Sequence, residues 1–559
     1  MPIVVACLAV ALGVYAPTLG YDFVWDDLII LDGKIRFYEG VRDVLLEPAD
    51  LAGLRVYRPV TFGSYWLDHL AWGRDALGFH LANVVLHALN AALVAALALA
   101  LGCGPAASLA GGLLFAVHPV HQEAVAWIAS RADLLVTTFG VATVLLALTD
   151  RTRPRPWLVG AIAVTSFAAA GSKEVGVTLP VLLVLVDRLA PAPAAWHGTW
   201  RRAGAAAAGV GAYLWLRPAD RAVGLDLQTL DAAGLGRLVS ALGFYVEQTF
   251  APWGVTAFMP APPGGVIAVV AALAAVAGSG LLAIRGERAG TLRRLGLAWC
   301  ALTLAPPLLV AVAEMLQTKV AERYLYLPSV GMVLLVAGEL AARAGWLRRR
   351  PVQAGAAAVL VLLAAVTVVR AAVWRDEITL WSAVVGVEPR YALPFANLGL
   401  ALKAAGRLDK ADAALTAALA KKGDAENERY TLINLGHLRL AQRRSEAAIP
   451  LFERANAIGP HASALHGLGI ALRWRARTLA AGGDATAAAR TLAQARQTLE
   501  TALAINARHS RAHFVLAGVL YDLGRYDEAV AHYRAVVAIE PESEAGKTAA
   551  AAIVEVTRE

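Results

Sequence analysis

Eleven long apolar stretches, parted by short arginine-rich loops, limit what this chain can fold into more than any other feature. A helix needs about 20 such residues to cross a bilayer, where backbone groups must be satisfied internally. The stretches fall at 2–20, 78–101, 105–118, 132–149, 157–171, 174–189, 202–216, 264–284, 295–313, 327–344 and 354–373. Arginines cluster between them at RTRPRP (151–156), RGERAGTLRR (285–294) and WLRRR (346–350). With 58% hydrophobic and only 17% charged residues, the chain reads as a polytopic membrane protein. Arginine-rich loops mark the cytoplasmic side, so the net charge of +8 reports topology and implies no nucleic-acid partner. Eleven spans then place the N-terminus in the cytoplasm and the C-terminus outside.

Three details complete the membrane reading. The opening MPIVVACLAVALGVYAPTLG lacks a basic n-region and a small-residue cleavage site, and is expected to be a retained span. The stretch 237–258 carries Glu247 and Gln248 and breaks at Pro252-Trp253-Gly254, which suggests a re-entrant or interfacial helix. Cys7, Cys103 and Cys300 sit in apolar segments with no paired spacing, so neither a disulfide framework nor a zinc site is expected.

Beyond Arg370 the chain turns Ala-rich, charged and periodic. NLGLALKAAGRLDKADAALTAAL (397–419), NLGHLRLAQRRSEAAIPLFERANAIGP (434–460) and VLAGVLYDLGRYDEAVAHYRAVVAIEP (515–541) share one pattern. A small residue (Gly399, Gly436, Ala517) precedes an Ala by 12 positions (Ala411, Ala448, Ala529), and Pro460 and Pro541 close the second and third. This is the helix-pair pattern of the tetratricopeptide repeat (TPR). A degenerate repeat with Gly469 and Ala495 is interrupted around AAGGDATAAA, and LWSAVVGVEP (380–389) resembles the second helix of another. Such arrays bind peptides or proteins on a concave face. The expected division is a membrane domain at 1–373, a juxtamembrane half repeat at 374–390 and a TPR solenoid at 391–559.

The loops assigned to the outer side hold most of the unexpected polar residues. In YDFVWDDLII (21–30), Asp26 and Asp27 stand side by side in an aromatic and aliphatic frame. Desolvation at a membrane boundary raises a carboxylate's pKa and makes it a better base. Arg58, in VYRPVTFGSYWLDHLAWG (56–73), suits a phosphate, although an interfacial anchor explains it equally well. AVHPVHQEAVAWIASRADLL (116–135) offers His118, His121, Glu123, Arg131 and Asp133 as groups that orient a substrate or cap helix ends. A divalent metal on His118, His121 and Glu123 is conceivable, but the spacing is not HExxH. In GSKEVGVTLP (171–180), Lys173 is a phosphate candidate that Glu174 would otherwise neutralise. In KVAERYLYLPSVG (319–331), Arg323 is a third cation, with Glu322 as a structural partner or, with Tyr324, a substrate contact.

One base, two or three cations and a lipid-facing entrance suit the transfer of a sugar from a polyprenyl phosphate to a hydroxyl. A phosphate leaving group needs cations more than a strong acid, and the weak hydroxyl nucleophile needs a carboxylate to take its proton. Either Asp26 or Asp27 would be that base, with Arg58, Lys173 and Arg323 on the phosphate; no cofactor is required.

FVWDD, YRPVTFGSYWLD, FHLANVVLHALN, FAVHPVHQEAVAWIASRADLL, SKEVGVTLPVLL and ERYLYLPSVG, followed by the repeats, resemble the transmembrane-and-TPR O-mannosyltransferases and their bacterial relatives. That resemblance implies an all-α, GT-C-type membrane domain followed by a TPR solenoid. It further implies a polyprenyl-phosphate-linked hexose donor, mannose first, and inverting transfer to protein Ser or Thr on the outer face. The family's acidic motif falls on Asp26 and Asp27, and its ERYLYLP motif on Glu322 to Pro328. The Ala, Arg and Gly content points to a bacterial inner membrane with the repeats outside. A lipid-linked-sugar flippase would favour charges at the bilayer midplane, where these stretches have few. A tethered scaffold would need only one or two spans.

Overall fold

The computed structural model describes residues 1–46, 49–51, 54–190, 194–218, 231–254, 257–260, 270, 274, 278, 288–313, 318–541 and 543–557. The fold is helical, apart from a two-stranded antiparallel ribbon at Ala49–Leu51 and Leu54–Val56. It forms two compact units, Met1–Leu380 and Trp381–Glu559.

Among the described residues, five helical stretches of the first unit are long and apolar enough to cross a membrane: Pro2–Gly20, Ala76–Ala100, Ile128–Thr152, Gly290–Val312 and Arg350–Trp374. Three other expected spans form shorter apolar helices, Pro105–Val117, Pro156–Ser172 and Pro328–Ala342. Proline opens all three and also Pro2–Tyr15 and Pro59–Trp72. It suits that position because a helix's first N–H has no internal partner. The stretch 174–189 divides into a 3-10 turn, Glu174–Thr178, and a short helix, Leu179–Leu189. The stretch 202–216 belongs to the longer helix Trp196–Leu216. The broken segment 237–258 is a helix, Ala232–Phe250, ending just before Pro252. The arginine cluster at 285–294 is not wholly a loop, since a helix begins at Arg288. The expected span 264–284 lies outside the described residues except for 270, 274 and 278.

Two devices pack this unit. Small residues bring helices together: a Cβ on Gly296 would lie 2.6 Å from the carbonyl oxygen of Gly331, so helices Arg288–Val312 and Pro328–Ala342 touch through their backbones. A polar stripe ties neighbouring segments, the helix Arg131–Thr152 among them, to a single helix. His80, Asn83, His87 and Asn90 recur at helical spacing on Ala76–Ala100 and are wholly buried. Asn83 receives the Arg131 Nε–H at 2.7 Å, while Asn90 donates to Leu134 O at 3.0 Å and accepts from Thr138 at 2.8 Å. His87 Nδ1 lies 2.7 Å from the Tyr326 hydroxyl. The FHLANVVLHALN motif therefore fixes the segment that follows His118.

In the second unit, four helix pairs follow one another: Ala392–Ala404 with Leu408–Leu419, Ala425–Ala441 with Ser445–Ile458, Ala462–Ala481 with Ala485–Ile505, and Ser510–Asp522 with Tyr526–Ile539. Glu544–Val556 follows them. The repeated small residues sit where the helices of a pair meet. Added Cβ atoms at Gly399, Gly436 and Gly469 would strike Leu415, Phe452 and Leu499 at 2.6, 2.7 and 2.6 Å. Ala411, Ala448, Ala495 and Ala529 are wholly buried. The AAGGDATAAA insertion makes no loop. It lengthens both helices of the third pair to 20 and 21 residues, with Gly483 turning between them at φ +89°.

Candidate functional site

The structure gives the two adjacent aspartates different surroundings. Both open the helix Asp26–Gly33, where the N-terminal end of the helix dipole favours negative charge. Asp27 is buried. Its Oδ2 accepts the Val24 N–H at 2.9 Å and its Oδ1 accepts the Ala129 N–H at 2.8 Å, so it clamps two loops together. Burial pushes its carboxyl well above the usual carboxylate range, against the pull of those two N–H groups. Asp26 is half-buried and has no hydrogen bond or ion pair among the described residues. Burial raises it to about 6, with Arg323 opposing the rise and Glu377 adding to it.

The residue before the pair is held in an unusual state. Trp25 has φ 55°, a region that side chains other than glycine rarely enter. Its N–H donates to Glu377 Oε1 at 2.8 Å. Its ring stacks on Trp127 with centroids 4.8 Å apart, and Trp127 stacks on Trp374 at 5.3 Å. Trp25 and Trp374 are themselves 6.5 Å apart, so three tryptophans from distant segments form one cluster beside Asp26.

Each of the three sequence-predicted cations meets a carboxylate. Arg58 grips Glu174 with both arms, Nε to Oε1 at 3.0 Å and Nη2 to Oε2 at 2.7 Å. Lys173 Nζ lies 2.6 Å from both oxygens of Asp133. Arg323 pairs with Glu123 through its guanidinium and donates its backbone N–H to Glu123 Oε2 at 3.0 Å. Tyr324 lies among them, its ring centroid 4.7 Å from Lys173 Nζ and 4.9 Å from the Arg323 guanidinium, which also lies 5.0 Å from the Trp127 ring. Arg58 is within electrostatic reach of Asp133 and Tyr324. One polar cluster therefore draws on segments around residues 26, 58, 123–133, 173 and 323.

The pairings correct two sequence expectations. Glu174 neutralises Arg58 and not its neighbour Lys173; Glu322 pairs with Arg370 at 2.7 Å and not with its neighbour Arg323. Extended backbone at Lys173 (φ −155°, ψ 146°) is the local reason for the first, whereas Glu322 and Arg323 are successive residues of a 3-10 turn, Glu322–Leu325, whose side chains point about a third of a turn apart. Successive side chains leave an extended segment on opposite sides.

The remaining candidates are tied into the frame. His121 is buried between Phe115 O at 2.8 Å and the Ser329 hydroxyl at 2.9 Å, and His118 Nε2 lies 3.1 Å from Thr249 O. Arg131 is only 1% exposed and holds Asn83, the Phe79 carbonyl, Ser64 and Asp68. It orients the chain rather than a ligand. Glu322, also fully buried, accepts from Gln122 at 3.0 Å as well as from Arg370, and Gln122 in turn accepts the Trp374 indole N–H at 2.7 Å. Among the described residues no three His, Cys, Asp or Glu are placed to hold a metal ion. Sequence reasoning missed Trp25, Trp127, Trp374 and Glu377. WRDE (374–377) directly after the last span was the available signal.

Comparison with known proteins adds two findings. The tetratricopeptide-repeat family model matches residues 486–553. Protein O-mannosyl-transferase Tmtc1 of Drosophila melanogaster is 35% identical over 198 residues, covering 33% of this chain and 22% of the fly protein. This chain resembles the protein O-mannosyl-transferases. Tmtc2 of the same fly is 34% identical over 196 residues, covering 32% of this chain and 21% of that protein. A Caenorhabditis elegans protein O-mannosyl-transferase is 31% identical over 195 residues, covering 32% and 26%. The chain thus spans roughly a fifth to a quarter of the length of the curated relatives it matches. A solved TPR protein of Thermus thermophilus covers 33% of this chain and 89% of its own at 17% identity, with a TM-score of only 0.26.

The cluster has clear chemical capacity. Three cations balanced by three carboxylates can receive an anion if the carboxylates yield. A half-exposed carboxylate titrating near neutrality beside them can take a proton.

Proposed function

We propose that this chain is a membrane glycosyltransferase of the GT-C type that moves a hexose, mannose first, from a polyprenyl-phosphate donor to a hydroxyl. The observation that carries the reading is the contrast within the acidic pair: Asp27 is consumed by two backbone N–H groups, whereas Asp26 is unpaired among the described residues and lies within electrostatic reach of Arg323. In this mechanism Asp26 takes the acceptor's O–H proton as its oxygen attacks the anomeric carbon. The bond from that carbon to the phosphate oxygen breaks, and its electron pair leaves with the polyprenyl phosphate. Arg323, Lys173 and Arg58 receive the developing charge, drawn partly from Glu123, Asp133 and Glu174. A single displacement inverts the anomeric centre. Three side-chain cations cover the phosphate, so the scheme calls for no metal.

The tryptophans around Trp25 supply apolar ring surface beside Asp26 for a sugar, and Tyr324 lies among the cations. The acceptor is a protein Ser or Thr presented by the TPR unit, in keeping with the names of the relatives. The site faces the outside of a bacterial inner membrane, with the N-terminus in the cytoplasm.

The test uses purified protein in nanodiscs, radiolabelled polyprenyl-phosphate-mannose and a pool of Ser/Thr peptides. Asp26→Asn is expected to lower transfer about 100-fold or more while donor binding persists. Donor binding without turnover in the wild-type protein, indifferent to this substitution, would instead favour a flippase.

A further inference from the structure

A second charged centre lies at the far end of the helix that carries Asp133. The helix Arg131–Thr152 ends in Asp150 and Arg151 beside a cavity of about 510 Å³, lined also by Arg201 and Arg202. Arg202 is 3% exposed and bridges the two buried aspartates, with Nη2 2.7 Å from Asp187 and Nη1 3.3 Å from Asp150. Arg201 pairs with Asp150, and Arg151 lies 3.8 Å from Asp187. Arg188 reaches Thr199 at 2.8 Å, and its guanidinium lies 3.9 Å over Trp196. Among the described residues, the guanidiniums of Arg151, Arg201 and Arg202 thus share two carboxylates, and Arg188 lies within electrostatic reach of Arg151. The excess positive charge is partly desolvated, an arrangement that is costly without an anion.

What kind of anion follows from the surroundings. Trp157, Trp196 and Trp200 flank the cluster and are 59%, 55% and 60% exposed. Trp196 and Trp200 stack at 5.7 Å. Exposed tryptophans at the end of apolar helices belong at the headgroup level of a bilayer, where basic pockets between helices take lipid phosphates. Guanidinium groups hold phosphate oxygens in pairs.

We infer that this cavity is a binding site for the phosphate of an anionic phospholipid, separate from the Asp26 cluster and at the opposite end of the same helix. It does not depend on the glycosyltransferase reading. The full-length protein, exchanged from detergent containing equal phosphatidylglycerol and phosphatidylcholine, would be examined by native mass spectrometry for retained lipid. Retention of phosphatidylglycerol about tenfold above phosphatidylcholine is expected. The double variant Arg151→Gln/Arg201→Gln should abolish that preference, and Arg348→Gln/Arg349→Gln, in another arginine cluster, should keep it. Arg151→Gln alone, which leaves the Asp150 pairs intact, should weaken it, so the test survives misfolding of the double variant. Equal retention of both lipids by the wild-type protein would overturn the proposal. So would equal loss in both double variants, which would reduce the effect to diffuse surface charge. Displacement of phosphatidylglycerol by millimolar inorganic phosphate, at parity, would overturn the lipid assignment in favour of a soluble anion.

Discussion

The two aspartates at 26 and 27 share a sequence context but differ in bonding, and that difference can be measured. Asp27→Asn keeps one acceptor oxygen but replaces the other with a donor, leaving either the Val24 or the Ala129 N–H without its partner. An unsatisfied buried donor costs about 1–3 kcal/mol, so thermal unfolding should show this variant destabilised, whereas Asp26→Asn breaks no such bond and should not lower stability. The pH profile tests the other member. A base that titrates near 6 is protonated below that pH, so transfer should fall about tenfold per unit on the acid side and level off above neutrality. Asp26→Asn should abolish that acid limb. For folding the sign is opposite: a carboxyl raised in the folded state adds stability at low pH and loses that contribution as pH climbs through its folded value. The acidic pair and the cations were legible in the sequence because charged residues in an apolar chain stand out. Their pairing was not, because Lys173–Glu174 and Glu322–Arg323 look like natural neighbours until the backbone, extended at Lys173 and a 3-10 turn at Glu322–Leu325, turns them apart.

At the scale of elements, the repeats were the most readable part, since the same small residue must recur wherever two helices cross closely. Gly436 shows why: the ring of Phe452 fills the space a side chain would need. Gly436→Leu should overpack this contact and lower the stability of the repeat unit by about 1–3 kcal/mol, read from urea unfolding followed by circular dichroism. The AAGGDATAAA insertion was read as an interruption because Gly482 and Gly483 punctuate it; Ala and Thr around them are compatible with continued helix, and the turn simply moved outward. The spans were legible as apolar runs, but their lengths were not. Lys173 ends one helix and Pro180 lies near the start of the next, so the 157–189 region breaks into two helices and a turn that a hydropathy window smooths over. The tryptophan cluster escaped notice for a different reason: residues 25, 127 and 374 come from segments that only tertiary folding brings together.

At the scale of the whole molecule, the helix Arg131–Thr152 is held at both ends by charge, by Lys173 on Asp133 and by Arg201 and Arg202 on Asp150. Asp133 and Asp150 are 17 residues apart, which at about 1.5 Å per residue puts the two ionic layers roughly 26 Å from one another. A typical hydrocarbon core is about 30 Å thick. The ion pairs therefore act as a fixed gauge. A spacing shorter than the hydrocarbon core cannot be matched by tilt, which would shorten its reach further, so the membrane must thin around it. Reconstituted into a series of phosphatidylcholines of increasing acyl length, the protein should be most heat-stable in the shorter-chain bilayers. Its unfolding temperature should then fall as the chains lengthen, and the lipid immediately around it should be measurably more disordered than the bulk.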